Sequence, residues 1–224
     1  MDPSELDHRG FATVPDLVDG RERTKLANEL TALLGASPGE RDGFRAASVR
    51  ALARSPAVRT VIEAVLGSGA FAYRATLFDK TPTANWLVAW HQDLVIPVRE
   101  RNDAPGFGPW SNKHGTWFVQ PPASVLAASL ALRVDLDGSN ETNGALRVLP
   151  GTHHEGVLSA QRIADLAATV AAVPCHVPAG GALLVRPLLL HASSKATQPA
   201  HRRIVHLEFT AAPLPAPLAF RCTY

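Results

Sequence analysis

Cysteine is scarce in this 224-residue chain, and its two thiols, Cys175 and Cys222, exclude both a disulfide framework and a thiolate metal cluster. They read as inert thiols. Long apolar runs are missing too: none approaches the roughly 18 residues that a membrane-spanning helix requires. The opening Met1-Asp2-Pro3-Ser4-Glu5 lacks the basic start and apolar stretch of a secretory signal. A cytoplasmic protein without a membrane partner is the expectation. Nor is there an excess of one charge, since Lys and Arg number 22 against 20 Asp and Glu. A nucleic-acid partner, which would call for a basic face, is therefore not expected. Apolar residues at 46% and charged residues at 19% describe a chain that folds around a core. The length suits a single domain over 1–224, as a monomer or small homo-oligomer.

The first third reads as a helical cover over about 1–68. Asp19 is placed to cap a segment with Leu26, Leu30, Leu33 and Leu34 at helical spacing, which Gly35 ends. Ser55 and Pro56 open a second such segment, closed by Gly67-Ser68-Gly69. From about 70 to 211 the pattern changes. Segments near 70–79, 85–98, 126–136, 145–149, 173–177, 182–191 and 202–211 carry β-branched and aromatic residues between Gly, Pro, Asn and Asp clusters. That predicts a mainly β fold, mostly antiparallel, with one further helix over roughly Ser159 to Thr169. Residues 99–116 form a long polar stretch without an apolar period, the kind of loop that carries function or moves. The tail 211–219 is expected to be extended.

The most informative residues are His91-Gln92-Asp93, which follow Trp86-Leu87-Val88-Ala89-Trp90 on a predicted strand. Residues two apart on a strand face the same way, so His91 and Asp93 present an imidazole nitrogen and a carboxylate side by side, while Gln92 points away. Such a pair grips a divalent metal, and His191 at the end of 182–191 is the candidate third ligand. Two histidines and one carboxylate on one face leave coordination positions open, the arrangement of non-haem Fe(II) oxygenases. Arg202 follows His191 by eleven residues, beyond a turn containing Pro199, and is placed to return toward the metal on the next strand. Its planar guanidinium suits the distal carboxylate of a dicarboxylic co-substrate such as 2-oxoglutarate. Ser193, two residues past His191, adds a hydroxyl donor for the same carboxylate.

These residues lie within a longer ordered set: Leu77-Phe78-Asp79-Lys80-Thr81-Pro82, Trp90-His91-Gln92-Asp93, Asn143-Gly144-Ala145-Leu146-Arg147-Val148-Leu149-Pro150-Gly151-Thr152-His153, Arg186-Pro187 through His191-Ala192-Ser193, and His201-Arg202-Arg203. Over about Gly10 to Phe209 the chain resembles the phytanoyl-CoA dioxygenase-like Fe(II)/2-oxoglutarate-dependent oxygenases. The resemblance implies a double-stranded β-helix, or jelly roll, with iron inside one mouth of the barrel. It implies His91, Asp93 and His191 as iron ligands and Arg202 with Ser193 as the 2-oxoglutarate carboxylate site. It further implies oxidation of a small molecule by dioxygen, with release of succinate and CO2. Because Asp93 supplies the carboxylate that related halogenases replace by a small residue, hydroxylation is favoured over halogenation. The rival functions are a non-catalytic jelly-roll binding protein and a cupin-type metalloenzyme that does not use 2-oxoglutarate; the latter has no need of Arg202 and Ser193.

Lys80 and Asn85, just before the metal motif, are candidates to bond the co-substrate or order the site. Arg74 and Arg133 interrupt apolar strand patterns, which is costly for a charge unless it is paired or faces a wet cavity. Each is a candidate anchor for an anionic substrate group, with a salt bridge to Asp79, Asp135 or Asp137 as the structural alternative. Trp117, with His114 beside it, is a candidate to close over substrate. Trp86 and Trp90 are expected to pack, and His206, though able to face the interior, is expected to be an ordinary histidine.

Overall fold

The computed structural model describes residues 3–224; Met1 and Asp2 lie outside the described residues. In chain order the first elements are α1 (Pro3–Arg9), β1 (Phe11–Val14), α2 (Gly20–Leu34), β2 (Gly39–Glu40), α3 (Ala47–Ala53), α4 (Pro56–Leu66) and β3 (Phe71–Lys80). There follow β4 (Val88–His91), β5 (Ile96–Val98), β6 (Trp110–Lys113), β7 (Thr116–Val119), α5 (Ala123–Ala127) and β8 (Ser129–Asp135). The last are β9 (Leu146–Val148), α6 (Ala160–Thr169), β10 (Val173–Pro174), β11 (Ala182–Val185), β12 (His191–Ser193) and β13 (Arg202–Thr210). Among the described residues no helix is long and apolar enough to cross a membrane.

Capping chemistry sets the predicted helices. Asp19 accepts from the Glu22 amide at the start of α2, Ser55 from that of Val58 at the start of α4, and Ser159 from that of Arg162 at the start of α6. The strands pair antiparallel in a six-stranded sheet of order β1-β11-β8-β13-β3-β2, a four-stranded sheet β10-β9-β12-β4, and a three-stranded sheet β5-β7-β6. The first two are the facing halves of a jelly roll, with Ala131, Leu183 and Val185 of the larger sheet packed with Leu146 and Val148 of the smaller.

Alternation along the larger sheet divides its duties. Leu130, Leu132 and Val134 of β8 and Val205, Leu207 and Phe209 of β13 face outward, where they pack against Leu26, Leu30, Val49, Leu52, Val58 and Ile62 of α2, α3 and α4. Each such buried aliphatic side chain contributes about 2 kcal/mol. Arg74, Thr76, Phe78 and Lys80 of β3, Arg133 of β8, and Arg202, His206 and Glu208 of β13 line a cavity on the opposite face. Near its start β3 carries a bulge: Glu208 pairs with Arg74 but Phe209 with Ala72, leaving Tyr73 as the extra residue.

Several predicted boundaries shift. The N-terminal cover is not wholly helical, because β1 and β2 add to the two edges of the larger sheet; edge strands this short leave little period in a sequence. The predicted strand 85–98 is two strands, β4 and β5, and Asp93 lies between them with its amide donating to the Pro187 carbonyl at 2.9 Å. The run 182–191 also breaks. Pro187 has no amide to donate, and a turn closed by Leu189 N–H to Arg186 C=O at 2.9 Å carries the chain from β11 to β12 in the other sheet. Predicted strand 126–136 begins as α5, and the 99–116 stretch contains β6, with His114 and Gly115 at positive φ in the turn to β7. The C-terminal tail returns to the sheet, where Tyr224 and Ala72 exchange backbone hydrogen bonds.

Gly144 shows how closely the crossing chains approach the cavity wall. At φ +75°, a Cβ there would sit 2.6 Å from the Ser194 carbonyl oxygen and 3.1 Å from Lys80 Nζ. Gly144→Ala is expected to cost about 1–3 kcal/mol, read by calorimetry as a fall of several degrees in Tm; an unchanged Tm would show that this contact relaxes freely.

Candidate metal centre and its cavity

His91 ends β4 and His191 opens β12, and the two are direct partners in the smaller sheet. Their rings lie 4.2 Å apart, centroid to centroid. Asp93 comes off the end of the strand and projects between them, with Oδ1 3.8 Å from His91 Nε2 and Oδ2 3.6 Å from His191 Nε2. One ligand atom from each of the three lies within 4.8 Å of the others, a grouping that can hold a metal ion. Both imidazoles are oriented the same way. His91 Nδ1 donates to the Ala89 carbonyl and His191 Nδ1 to the Leu189 carbonyl, each at 2.9 Å, which leaves both Nε2 lone pairs for a metal.

Electrostatics favours the same state. Burial opposes the Asp93 charge, but His191, His206, His91 and Arg74 around it hold its carboxyl well below the usual carboxylate range. Burial pushes His191 down to about 4, against the pull of Asp93. An ionised carboxylate and a neutral imidazole are the forms that ligate. Gln92, turned away as alternation predicts, holds the surrounding loops: its amide donates to Gly156 and Leu188 carbonyls at 2.8 and 2.6 Å and its oxygen accepts from the Leu158 amide at 2.9 Å.

The triad opens on a cavity of about 190 Å³. At one end of β13 stand Arg202, Lys80 and Ser193. Lys80 Nζ donates to Ser193 Oγ at 3.2 Å and to the Ser194 carbonyl at 2.7 Å, and burial, with Arg202 and Arg133 nearby, pushes its pKa down to about 8. Arg202 is 4% exposed and, among the described residues, reaches only Ser139 Oγ, at 3.4 Å, while its Nε meets no partner there. No carboxylate lies within ion-pair reach of it among the described residues. Burial and the neighbouring Arg133 push its pKa down to about 10. Arg74, at the other end of β13, lies 3.1 Å from Glu208 and donates to the Val95 carbonyl at 3.3 Å.

Two candidates stand elsewhere. Asn85 exchanges hydrogen bonds with the backbone of Ala196 at 2.9 and 2.7 Å and does not line the cavity; it clamps the connection from β12 to β13. The parity that pointed it inward assumed an unbroken strand from 85, whereas β4 starts at Val88. Trp117 lies in β7, edge-to-face with Trp110 at 6.5 Å, within the apolar cluster of the three-stranded sheet rather than on the cavity. Neither Arg74 nor Arg133 forms an ion pair with Asp79, Asp135 or Asp137; Asp79 pairs with His201 and Asp137 with Arg203. Glu208 was not singled out from sequence, and His206, read as able to face the interior, was given no role in the site, although both share the parity of Arg202 along β13.

Asp135, behind Arg133, yields a pH prediction. Burial raises it to about 6 against its hydrogen bond from Ser139 and the charges of Arg133 and Arg202. The folded protein therefore retains a proton that an unfolded chain with an ordinary carboxyl near 3.9 has lost. Stability drops as pH rises through about 4 to 6. Asp135→Asn is expected to gain Tm on wild type across that range; an offset equal at both ends would refute the shift.

Comparison with known proteins gives the fold a wider setting. No curated protein matches in sequence. Among solved structures, the chain resembles the epimerase SnoN in complex with Fe3+, alpha ketoglutarate and nogalamycin RO, at TM-score 0.71 and 17% identity, over 98% of this chain and 84% of that one. EctD from S. alaskensis with bound Fe superposes at TM-score 0.71 and 20% identity, over 96% and 78%. HygX from Streptomyces hygroscopicus with nickel and 2-oxoglutarate bound does so at 0.67 and 14%, over 94% and 87%. At these identities the likeness is one of fold. Residues 6–204, which include the triad, Lys80, Ser193 and Arg202, match phytanoyl-CoA dioxygenase (PhyH), and the chain belongs to that family.

Proposed function

We propose that the protein is an Fe(II)- and 2-oxoglutarate-dependent oxygenase that hydroxylates a small molecule, an amino-acid derivative or natural-product intermediate, with release of succinate and CO2. The observation that carries this reading is Arg202, an enclosed guanidinium with an unpartnered Nε, set in the same cavity as three metal-ligating side chains. A buried cation without a counter-charge is costly. A dicarboxylate satisfies it, whereas a metalloenzyme acting without such a co-substrate would leave it unmatched.

His91, Asp93 and His191 would hold the iron, which with 2-oxoglutarate and dioxygen supplies an oxidation strong enough to functionalise a C–H bond. Arg202 takes the distal carboxylate of the co-substrate through parallel N–H donors. Ser193, whose oxygen accepts from Lys80, keeps its own hydroxyl proton free for the same carboxylate. Lys80 adds positive charge, and a bound dianion relieves its repulsion from Arg202 and Arg133. The two sheets enclose these groups, so the co-substrate is held where water is sparse and charge-assisted hydrogen bonds are strong. The Asp93 carboxylate occupies the position that a halide would need, which supports hydroxylation. SnoN shows that the same fold also serves an epimerase, and the products of turnover separate the two.

The first test is an anaerobic titration of metal-free protein with Fe(II) and then 2-oxoglutarate, watched for the visible charge-transfer band of a chelated keto acid. Wild type is expected to develop the band, and His91→Ala or Asp93→Ala to lose it together with metal binding. A folded wild-type protein that binds Fe(II) without the band would overturn the co-substrate assignment. Arg202→Ala is expected to keep Fe(II) but to weaken 2-oxoglutarate by about 30-fold or more, a loss of about 2–5 kcal/mol for an enclosed charge pair. Unchanged co-substrate affinity in that variant would refute the clamp.

A further inference from the structure

The four basic residues that line the cavity are not equivalent. Lys80 and Arg202 stand together at one end of β13, and Arg74 at the other is matched by Glu208 at 3.1 Å. Arg133 is different. Its guanidinium is enclosed by the barrel yet open to the cavity, and among the described residues no carboxylate lies within ion-pair distance of it. Its hydrogen-bond partner is a ring nitrogen, His206 Nδ1, at 3.1 Å.

That contact fixes a chain of orientation. A guanidinium only donates, so His206 Nδ1 is the acceptor and the ring proton sits on Nε2. His206 Nε2 points to Glu208 Oε1 at 3.3 Å, and Arg74 approaches the same oxygen at 3.1 Å. Glu208 thus holds the imidazole, the imidazole holds one guanidinium nitrogen of Arg133, and Arg133 lines the cavity. Phe78 packs beside Arg133, its ring centroid 5.8 Å from the guanidinium carbon. The charge count agrees: Arg74, Lys80, Arg133 and Arg202 face Asp93 and Glu208 among the lining residues. A divalent metal and doubly negative 2-oxoglutarate cancel each other, and Asp135, beyond ion-pair distance behind Arg133 and Arg202, offsets one further charge when ionised, which leaves one positive charge unmatched.

We propose that Arg133, positioned by His206 and Glu208, is the anion anchor for the substrate, and that the substrate is a small molecule bearing a carboxylate or phosphate group. This rests on the oxygenase function in one respect: 2-oxoglutarate is taken to occupy Arg202. His206 is a positioning residue and Arg74 neutralises Glu208; neither is required to touch the substrate.

The experiment uses protein loaded anaerobically with Fe(II) and 2-oxoglutarate, titrated by calorimetry with acetate, inorganic phosphate and, as a neutral control, acetamide. Wild type is expected to bind an anion and not acetamide, and the tighter of acetate and phosphate identifies the group. Arg133→Gln is expected to weaken that anion by tenfold or more while the 2-oxoglutarate band titrates as in wild type. Arg133→Lys should recover part of the affinity. His206→Gln, which can accept from Arg133 and donate to Glu208, should bind like wild type, whereas His206→Leu should weaken the anion without removing the band. Equal anion affinity in wild type and Arg133→Gln, or no anion binding by band-forming wild type, overturns the proposal. Loss of the band in Arg133→Gln would assign Arg133 to the co-substrate and overturn it too. If wild type forms no band, the oxygenase function fails separately, and the same titration of metal-free wild type and Arg133→Gln still decides whether Arg133 binds an anion. Should Arg133→Gln not fold, the His206 pair decides: equal affinity in His206→Leu and His206→Gln overturns the positioning.

Discussion

Along β13, Val205, Leu207 and Phe209 pack beneath the helices while Arg202, His206 and Glu208 turn toward the cavity, and the rest of the molecule is organised around this division. Only a strand with period two can place an apolar row and a charged row on one backbone segment. The apolar row, joined by β8 and β3 and covered by α2, α3 and α4, supplies the stability. Because that stability is gathered on one face of the sheet, the other face tolerates charged groups that an ordinary core would reject. The jelly roll is therefore a support for enclosed polar chemistry, closed on its far side by the smaller sheet that carries His91 and His191.

The interior charges are handled in three ways. Some are paired outright, as Arg74 is with Glu208. One carboxylate, Asp93, is held well below the usual carboxylate range by the groups around it, and the ionised form is the one that can ligate a metal. Others are left unmatched, and these matter for function. Arg202 has an unpartnered Nε, and Arg133 meets an imidazole nitrogen with no carboxylate within ion-pair distance among the described residues. An unmatched buried cation makes the empty cavity less favourable than the filled one, so ligand binding recovers what folding gave up. His91, Asp93 and His191, which could hold a metal ion, lie with both of these cations on a single cavity, the geometry on which the proposed oxygenase function and anion anchor rest.

Family membership and fold do not choose between outcomes of the oxidation. The chain shares its fold with a solved epimerase and with other proteins of this architecture at 20% identity or less. One fold serves many reactions, so the decision belongs to the side chains that line the cavity, Arg133, Thr76 and Phe78 among them.

Much of the site was legible in the sequence because it rests on local pattern. His91 and Asp93 are two residues apart, Ser193 follows His191 by the same step, and Asp19, Ser55 and Ser159 mark helix starts by capping chemistry that needs no tertiary context. The candidate ligand types and these three helices were determined at that level, whereas α1, α3 and α5 were not. Tertiary structure alone decided where the strands break and what each interior charge meets. Pro187 divides one apolar run into strands of different sheets, the backbone bond from Asp93 to Pro187 follows the end of β4, and β4 begins only at Val88, so Asn85 lies before the strand and bonds the Ala196 backbone instead of lining the cavity. Arg74 faces Glu208, and Arg133 faces His206, across residues more than seventy positions distant. Such pairings depend on strand register, which the turns and the two buried faces set together, so no local window of the sequence contains them.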